Sequence, residues 1–379
     1  MTSPTIYLDH NATTRLDENV LAAMLPFFTE HYENPGSSHL AGLTVSEYTD
    51  NACWQVADFI GSRPEEVVFT SGATESVNLA VRGISNGRRN HLITLCTEHK
   101  AVLDTVKDHA GTNDLTCAIL PVQSNGLVDL DLLEKEITDN TLLVSVMLVN
   151  NETGTIQNMK KISELVHAKG AFLLCDATQA VGKIPVNVQE LGIDLMAFSA
   201  HKFYGPKGIG GLYVSASVKK YLGAQITGGG QQKNRRSGTL NVPGIIGMAK
   251  ACEIAKKDMD RHAAYVKTLR DDLEKELLKI EGTSVNGSAE YRIFNTVNMV
   301  FKNVFSEQLI MALQHISVSS GSACTSVTTD PSHVLKGLGL SDEDALCSIR
   351  FSLGKDNTKA EIQVAVKRIS ELVTQFRRG

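Results

Sequence analysis

Short apolar runs rich in β-branched residues alternate with helical stretches between residues 66 and 214. Several of these runs lack the polar–apolar alternation of a half-exposed strand, which is typical of strands that are buried on both faces. The pattern therefore predicts an α/β domain with a doubly wound, mostly parallel seven-stranded sheet. The seven runs are Glu66–Thr70, His91–Cys96, Thr116–Leu120, Leu142–Val149, Ala171–Cys175, Asp194–Phe198 and Gly210–Val214.

The pattern changes after residue 214. A long helical segment with charged faces runs from about Pro243 to Ile280. It is followed by strand-like Thr296–Phe301, a helical stretch near Ser306–His315, strand-like Ser348–Ser352 and an amphipathic helix at the end of the chain. This order of elements predicts a second, smaller α+β domain.

We expect a large domain of residues 13–255 and a small domain that combines residues 1–12 with residues 256–379. A run of small and polar side chains within the small domain predicts a loop at about residues 317–331. Because this loop contains a cysteine, Cys324, it is a candidate for chemistry as well as for a connection.

Charge and cysteine content exclude several classes of protein. The 37 Lys and Arg residues against 42 Asp and Glu residues give a net charge of −5, which argues against direct nucleic-acid binding. The seven cysteines are widely spaced and show neither a C-x-x-C pair nor zinc-ligand spacing, so we expect a reducing compartment and no metal. The N-terminal residues lack the features of a signal peptide, and no apolar run reaches 18 residues. We therefore expect a cytoplasmic protein with no membrane partner.

Reactive side chains follow several of the predicted strands, where open α/β sheets bind their ligands. Ser71–Glu75 precede a helix and offer backbone N–H groups, a hydroxyl and the positive helix end to an anion. His99 follows the second run, and Asp176 follows a buried run from which its carboxylate could bind a cationic ring nitrogen. Lys202 lies on a glycine-flanked turn and is a candidate amine nucleophile, with Lys207 as its competitor. Each feature alone has an ordinary structural explanation as a helix cap, a half-buried histidine or a surface lysine.

Taken together, a phosphate cradle, a carboxylate, an imidazole and a lysine at one sheet edge are the groups that bind pyridoxal 5′-phosphate (PLP). The glycine patterns of dinucleotide-binding and P-loop folds are absent from the sequence. Cys324 lies in a polar, glycine-containing loop where a thiol would be exposed, whereas the other six cysteines lie in helical or strand-like context. Cys324 is therefore the candidate nucleophilic thiol.

The sequence closely resembles the NifS/IscS-type cysteine desulfurases, which are PLP enzymes of aminotransferase class V. The resemblance runs over nearly the whole chain and implies a PLP-dependent transferase of fold type I that forms a homodimer. The motifs that carry it are Tyr7–Thr14, Asn34-Pro35, Ser71–Glu75, Glu98–Lys100, Asn150–Glu152, Asp176–Gln179, Ser199–Lys202, Arg236–Thr239, Ser320–Ser326 and Arg350–Gly354.

The resemblance also implies a role for individual residues in binding the cofactor. Lys202 would carry PLP in Schiff-base linkage and transfer protons, and Asp176 would pair with the pyridinium nitrogen. His99 would stack on the ring and take part in acid–base steps. Gln179 and Asn151 would bond the phenolic oxygen or the substrate. The residues implied for the phosphate are Ala73, Thr74, Ser199 and His201, joined by Thr239 from the other subunit.

For the reaction, the resemblance implies that Arg350 binds the α-carboxylate of L-cysteine and that the Cys324 thiolate attacks the substrate sulfur. The products would be L-alanine and a Cys324 persulfide, which is passed to an acceptor protein of iron–sulfur cluster assembly or of tRNA or DNA thio-modification. A selenocysteine lyase or aminotransferase of the same class, and a noncatalytic sulfur-relay scaffold, are the alternatives. The sequence departs from the family at two places: Gln231–Asn234 stand where members commonly have Gln/His-Glu-Arg-Gly, and Arg15 stands where proline is frequent after Thr-Thr.

Overall fold

The computed structural model describes residues 5–112, 114–320 and 330–378 of the chain, so Cys324 lies outside the described residues. The strands are β1 Ile6–Tyr7, β2 Val67–Thr70, β3 His91–Leu95, β4 Thr116–Leu120, β5 Thr141–Met147, β6 Phe172–Asp176, β7 Leu195–Ser199, β8 Gly210–Val214, β9 Thr283–Asn286, β10 Thr296–Phe301, β11 Ile316–Ser317 and β12 Ser348–Ser352. The α-helices are α1 Glu18–Met24, α2 Pro26–Thr29, α3 Leu40–Phe59, α4 Ala73–Gly83, α5 Lys100–Thr112, α6 Leu130–Glu136, α7 Met159–Ala168, α8 Val242–Leu277, α9 Ser306–Leu313, α10 His333–Gly337, α11 Asp342–Leu346 and α12 Lys359–Arg377.

The seven predicted runs form one seven-stranded sheet in the order β2-β8-β7-β6-β5-β3-β4. Strand β8 is antiparallel to both of its neighbours, and the other pairs are parallel. Every residue of β5, β7 and β8 is buried, which explains why these runs show no polar alternation. The predicted mostly parallel α/β sheet is confirmed, and the carboxyl ends of six of its strands share one edge.

A second sheet contains β9, β10 and β12, with β10 in the middle and both pairs antiparallel. Strands β10 and β12 have the bounds that the sequence predicts, whereas the short strand β9 was missed. The predicted helix from Pro243 to Ile280 is observed as Val242–Leu277. No helix among the described residues is both long and apolar enough to cross a membrane.

Helix α8 packs its two halves into different apolar clusters. Its first half, through Cys252, lies in the cluster beneath the large sheet, whereas Val266–Leu277 join a cluster with Phe301 and Phe351 of the small sheet. Ile6 and Leu8 belong to this second cluster as well, although they begin the chain. We therefore propose that the chain divides as the sequence predicts, into residues 13–255 and residues 1–12 with 256–379.

Glu98 is a fully buried carboxyl group at the carboxyl end of β3. Its Oε1 accepts a hydrogen bond from the Met147 N–H at 2.7 Å, and its Oε2 has no hydrogen-bond partner among the described residues. The His333 ring lies 2.9 Å from the Glu98 carbonyl oxygen and holds the same loop from the other side. Burial, together with the nearby Asp176, raises the pKa of Glu98 well above its usual value. The hydrogen bond to Met147 thus anchors the loop that carries His99, and burial favours the uncharged form of the Glu98 carboxyl group.

Gly210 lies where β8 passes the turn that opens α4. A Cβ atom at this position would be 2.6 Å from the Gly72 Cα and 2.6 Å from the Phe198 carbonyl oxygen. Both neighbours are backbone atoms of sheet or turn, so they cannot move aside as a flexible side chain would. The absence of a side chain at Gly210 therefore lets β8 approach the Gly72 turn.

We expect Glu98→Gln to flatten the dependence of stability on pH. A carboxyl group with a raised folded-state pKa stabilises the fold fully below its unfolded pKa, and this contribution is lost as pH rises through the folded pKa. Glutamine keeps the acceptor for Met147 and cannot ionise. Urea unfolding of the cofactor-free protein between pH 5 and pH 9 measures the effect, with the exposed Glu134→Gln as control. Identical pH profiles for wild type and Glu98→Gln would contradict a raised pKa of this buried carboxyl group.

We expect Gly210→Ala to lower the free energy of unfolding by about 1–3 kcal/mol, because the new methyl group overpacks a rigid backbone contact. The matched control is Gly111→Ala in α5, where no described atom lies within 4 Å of the added Cβ. Alanine favours a helix over glycine by up to about 1 kcal/mol, so the control should be neutral or stabilised. Urea unfolding followed by circular dichroism compares the two, and equal effects would refute the steric argument.

Candidate active site

Ten of the twelve residues that the sequence singles out line one pocket at the carboxyl edge of the large sheet. Thr239 is exposed and does not line the pocket of its own chain, and Cys324 lies outside the described residues. Asn11, Ala12 and Thr178 also line the pocket, although the sequence assigned them no role. The ten residues are Ala73, Thr74, His99, Asn151, Asp176, Gln179, Ser199, His201, Lys202 and Arg350.

Lys202 follows β7 on a single tight turn and extends its amine into this pocket. Its Nζ donates to the carbonyl oxygens of Asn11 at 2.7 Å and of Ala12 at 2.8 Å. These carbonyl groups belong to the N-terminal segment, which is distant in sequence and was not predicted to contact the lysine. The competing Lys207 is exposed and does not line the pocket. Lys202 is therefore the lysine that the geometry offers for chemistry.

The turn before α4 forms an anion cradle with the end of β7. The Ala73 N–H donates to Ser199 Oγ at 2.7 Å, so the hydroxyl hydrogen of Ser199 remains available to a ligand. Thr74 lies in the first turn of α4, where backbone N–H groups and the helix dipole favour an anion. Burial and the nearby Lys202 lower the pKa of His201 to about 4, so its ring is neutral at neutral pH. The cradle thus offers hydrogen-bond donors.

Asp176 and His99 approach the pocket from strands β6 and β3, which lie on either side of β5. Asp176 ends β6, is 7% exposed, and accepts a hydrogen bond from the Thr178 N–H at 2.9 Å. The His99 Nδ1 accepts from the Ala101 N–H at 3.0 Å, which places the proton of the neutral ring on Nε2. The pocket therefore contains a buried carboxyl group and an imidazole with a defined tautomer.

Arg350 comes from β12 of the small sheet and is 4% exposed. Its Nη2 donates to Asp9 Oδ1 at 2.6 Å, and its Nη1 donates to the Asn151 carbonyl oxygen at 3.0 Å. The Nε of Arg350 is buried and has no hydrogen-bond partner among the described residues. Asp9 was assigned no role from the sequence, although it lies within the family motif Tyr7–Thr14. The guanidinium group is therefore held rigidly and still has donor capacity for a carboxylate.

These groups fit PLP and an amino-acid substrate. Besides Arg350 Nε, the buried Asn151 Oδ1 and Thr178 Oγ1 lack partners among the described residues. Buried polar atoms are normally hydrogen-bonded, so unpartnered ones around a single pocket indicate a polar ligand. The cradle suits the phosphate, Asp176 suits the ring nitrogen and Lys202 supplies the amine. No group of three or more His, Cys, Asp or Glu side chains among the described residues is arranged to hold a metal ion.

A buried network behind the pocket was not predicted. Gln179 Nε2 donates to the Asn11 carbonyl oxygen at 2.9 Å, which is the oxygen that also accepts from Lys202. On the far side, Lys183 Nζ donates to Gln179 Oε1 at 2.5 Å and to Asn11 Oδ1 at 3.1 Å. The sequence signal that could have revealed it is a lysine four residues after Gln179, immediately behind a buried strand.

Comparison with known proteins agrees with this geometry. A sequence model of the family Aminotransferase class-V matches residues 6–364. The chain is 45% identical over 377 residues to cysteine desulfurase IscS of Methylobacillus flagellatus. This alignment covers 98% of the chain and 93% of the relative. The chain is 46% identical over 378 residues to a mitochondrial cysteine desulfurase of Arthroderma benhamiae, with 98% and 75% covered.

The fold agrees as well. The solved structure of a NifS-like protein superimposes with a TM-score of 0.92 at 37% identity, covering 98% of this chain and 99% of that chain. Since the family model, the curated relatives and the fold cover almost all of the sequence, the chain belongs to the aminotransferase class V family and, within it, is an enzyme of the NifS/IscS type with the PLP fold type I.

Proposed function

We propose that the protein is a PLP-dependent cysteine desulfurase that converts L-cysteine to L-alanine and leaves a persulfide on Cys324. The observation that carries the proposal is the convergence of Lys202, Asp176, the anion cradle and Arg350 on one pocket. Relatives that match the chain over nearly its full length are named cysteine desulfurases, which supports cysteine as the substrate.

Bound PLP supplies the electron sink that makes the α-proton of an amino acid removable. Arg350 orients the substrate carboxylate, because Asp9 and Asn151 hold its guanidinium group in place. Lys202 Nζ moves the α-proton, and the carbonyl groups that hold its amine keep it in position. His99 offers the proton on Nε2.

The sulfur transfer balances without an outside oxidant. A sulfur–sulfur bond forms between Cys324 and the substrate sulfur as the carbon–sulfur bond of cysteine breaks. The electron pair of the broken bond remains on the carbon, which takes up a proton and becomes the methyl group of alanine. The sulfur is thereby oxidised from thiol to persulfide while the carbon is reduced.

The described residues on both sides of the Cys324 segment support its access to the pocket. On one side, the Arg350 N–H donates to the Ser319 carbonyl oxygen at 2.7 Å. On the other side, Ser332 Oγ donates to Glu152 Oε2 at 2.6 Å, and both atoms are buried. Cys324 is five positions along the chain from Ser319, which allows a span of at most about 18 Å in an extended chain. The chain therefore enters the Cys324 segment next to Arg350, which supports access of the thiol to the substrate site.

We propose a homodimer that buries an exposed apolar stripe. Leu21 of α1, Leu25 between the helices, Phe28 of α2 and Tyr32 beyond it recur three or four residues apart, and each is at least 43% exposed. An apolar stripe of this kind on a folded chain marks a contact surface. The exposed Thr239, which the resemblance assigns to the pocket of the other subunit, points to a second copy as the occupant.

The sulfur acceptor is proposed to be a protein of iron–sulfur cluster assembly or of another sulfur-transfer pathway, because a persulfide must be handed on before it is reduced. We also propose a cytoplasmic location, although one relative is named as mitochondrial. Free thiols support a reducing compartment: Cys117 is exposed and unbridged.

We expect Cys324→Ala to abolish desulfuration, with alanine formation from L-cysteine reduced on the order of a thousandfold or more by loss of the nucleophile. Cys117→Ala is the matched control, since it removes an exposed thiol that does not line the pocket. Alanine and sulfide are measured together in the presence of reductant. Full turnover by Cys324→Ala would favour a selenocysteine lyase or an aminotransferase. For a PLP enzyme, the wild-type protein should show the PLP absorption band and Lys202→Ala should lose it. If the wild-type protein shows no such band, a noncatalytic scaffold is favoured.

We expect Leu25→Glu combined with Phe28→Glu to give a monomer, because two charges would be buried at the proposed interface. PLP affinity should then fall at least about tenfold through loss of the partner's Thr239 from the phosphate site. Met311→Glu is the control, since Met311 is 80% exposed on α9 of the small domain. Sedimentation and PLP titration measure both effects. A double variant that stays dimeric would refute this interface.

A further inference from the structure

Lys183 is a buried lysine that none of the roles described so far explains. It is 8% exposed and lies on the helical turn that follows β6, four residues after Gln179. Its Nζ donates to two amide oxygens, Gln179 Oε1 at 2.5 Å and Asn11 Oδ1 at 3.1 Å. Among the described residues, no carboxylate lies within ion-pair distance of this amine. A buried amine without a counter-ion is costly, so it calls for an explanation.

The amine determines which end of the Gln179 amide faces which neighbour. The Lys183 amine can donate a hydrogen bond to the amide oxygen of Gln179. It cannot do so to the NH2 group, because both groups are donors. With Oε1 held by Lys183, the NH2 group points away from it, and one of its hydrogens goes to the Asn11 carbonyl oxygen. The other hydrogen remains for the pocket, which Gln179 lines.

Lys183 is also joined to Lys202 through Asn11. The Asn11 carbonyl oxygen accepts from both Gln179 and Lys202, while its side-chain oxygen accepts from Lys183. A change at Lys183 therefore reaches the oxygen that holds the Lys202 nitrogen.

The ionisable groups around Lys183 are mostly cationic or become so on protonation. Burial, and after it the charges of Lys202 and Arg350, lower the pKa of Lys183 well below its usual value. Lys183 in turn helps to lower the pKa values of His10 and His201. The remaining ionisable groups that line the cavity beside it are Asp17, Tyr204, His262 and Lys355.

We propose that Lys183 is a positioning residue of the reaction, which orients Gln179 as a donor toward the ring oxygen of PLP and thereby sets the proton affinity of the Lys202 nitrogen. This inference rests on the proposed function, because it requires PLP on Lys202. The proton on the Lys202 nitrogen shields the negative charge of the PLP ring oxygen. A hydrogen-bond donor to that oxygen therefore stabilises the charge most strongly once this proton has been lost. The donor therefore favours proton loss, and its removal favours proton retention.

The test is a pH titration of the visible absorption band of the PLP-loaded enzyme. We expect Lys183→Met to raise the titration midpoint by about one pH unit, a tenfold change in proton affinity. Lys169→Met, which removes an exposed lysine at the end of α7, is the control and should leave the midpoint unchanged. If Lys183→Met does not fold, Lys183→Gln replaces it. The glutamine side chain is one bond shorter than that of lysine and leaves the contact with Gln179 unmade, so this variant should give the same upward shift of the midpoint.

A double-mutant cycle tests the path through Gln179. In the Gln179→Ala background, Lys183→Met should shift the midpoint little further, since the oriented donor is already gone. Thermal unfolding of the cofactor-free variants separates structural loss from this effect. An unchanged midpoint in a destabilised Lys183→Met, or the same shift in both backgrounds, would overturn the inference. A wild-type protein that forms no band with PLP would defeat the proposed function itself.

Discussion

The active site depends on one asparagine that three distant parts of the chain hold in place. The backbone N–H of Asn11 donates to Ser352 Oγ at 2.9 Å, and its side-chain amide donates to Thr296 Oγ1 at 2.9 Å, both in the small sheet. Its carbonyl oxygen accepts from Lys202 and Gln179, which follow strands of the large sheet. Asn11 therefore fixes the distance between the lysine that would carry PLP and the sheet that supplies Arg350.

Burial acts on the charges around this junction in a consistent direction. Acidic groups become harder to ionise, as the raised pKa values of Glu98 and Glu152 show, and the pKa values of the basic groups His10 and Lys183 are lowered. Burial thus favours the uncharged forms of these groups, which still form hydrogen bonds with neighbouring side chains.

Local patterns in the sequence predicted those features of the fold that depend on neighbouring residues along the chain. A buried strand needs an apolar run, and a residue after that run lies at the sheet edge, so the large sheet and the placement of Asp176 and Lys202 followed directly. Contacts between distant segments left no comparable signal. Asp9 pairs with Arg350 across 341 positions, and Lys183 contacts Asn11 across 172. The pairing of a short strand such as β9 depends on its partner as well, which explains why its own four residues did not reveal it.

The segment Gln231–Asn234, which departs from the family, satisfies backbone groups at the edge of the large sheet. The Gln232 side chain accepts from the Phe69 N–H at 2.7 Å and donates to the Phe69 carbonyl oxygen at 2.9 Å, so it pairs with edge strand β2 as a neighbouring strand would. Gln232, Lys233 and Asn234 all have left-handed φ values, between 51° and 61°, which side chains adopt at a cost. The glutamate common in the family could accept from the N–H but could not donate to the carbonyl oxygen. The substitution therefore lets a single amide satisfy both backbone groups of Phe69 on the edge strand, and it does so without contacting the PLP pocket.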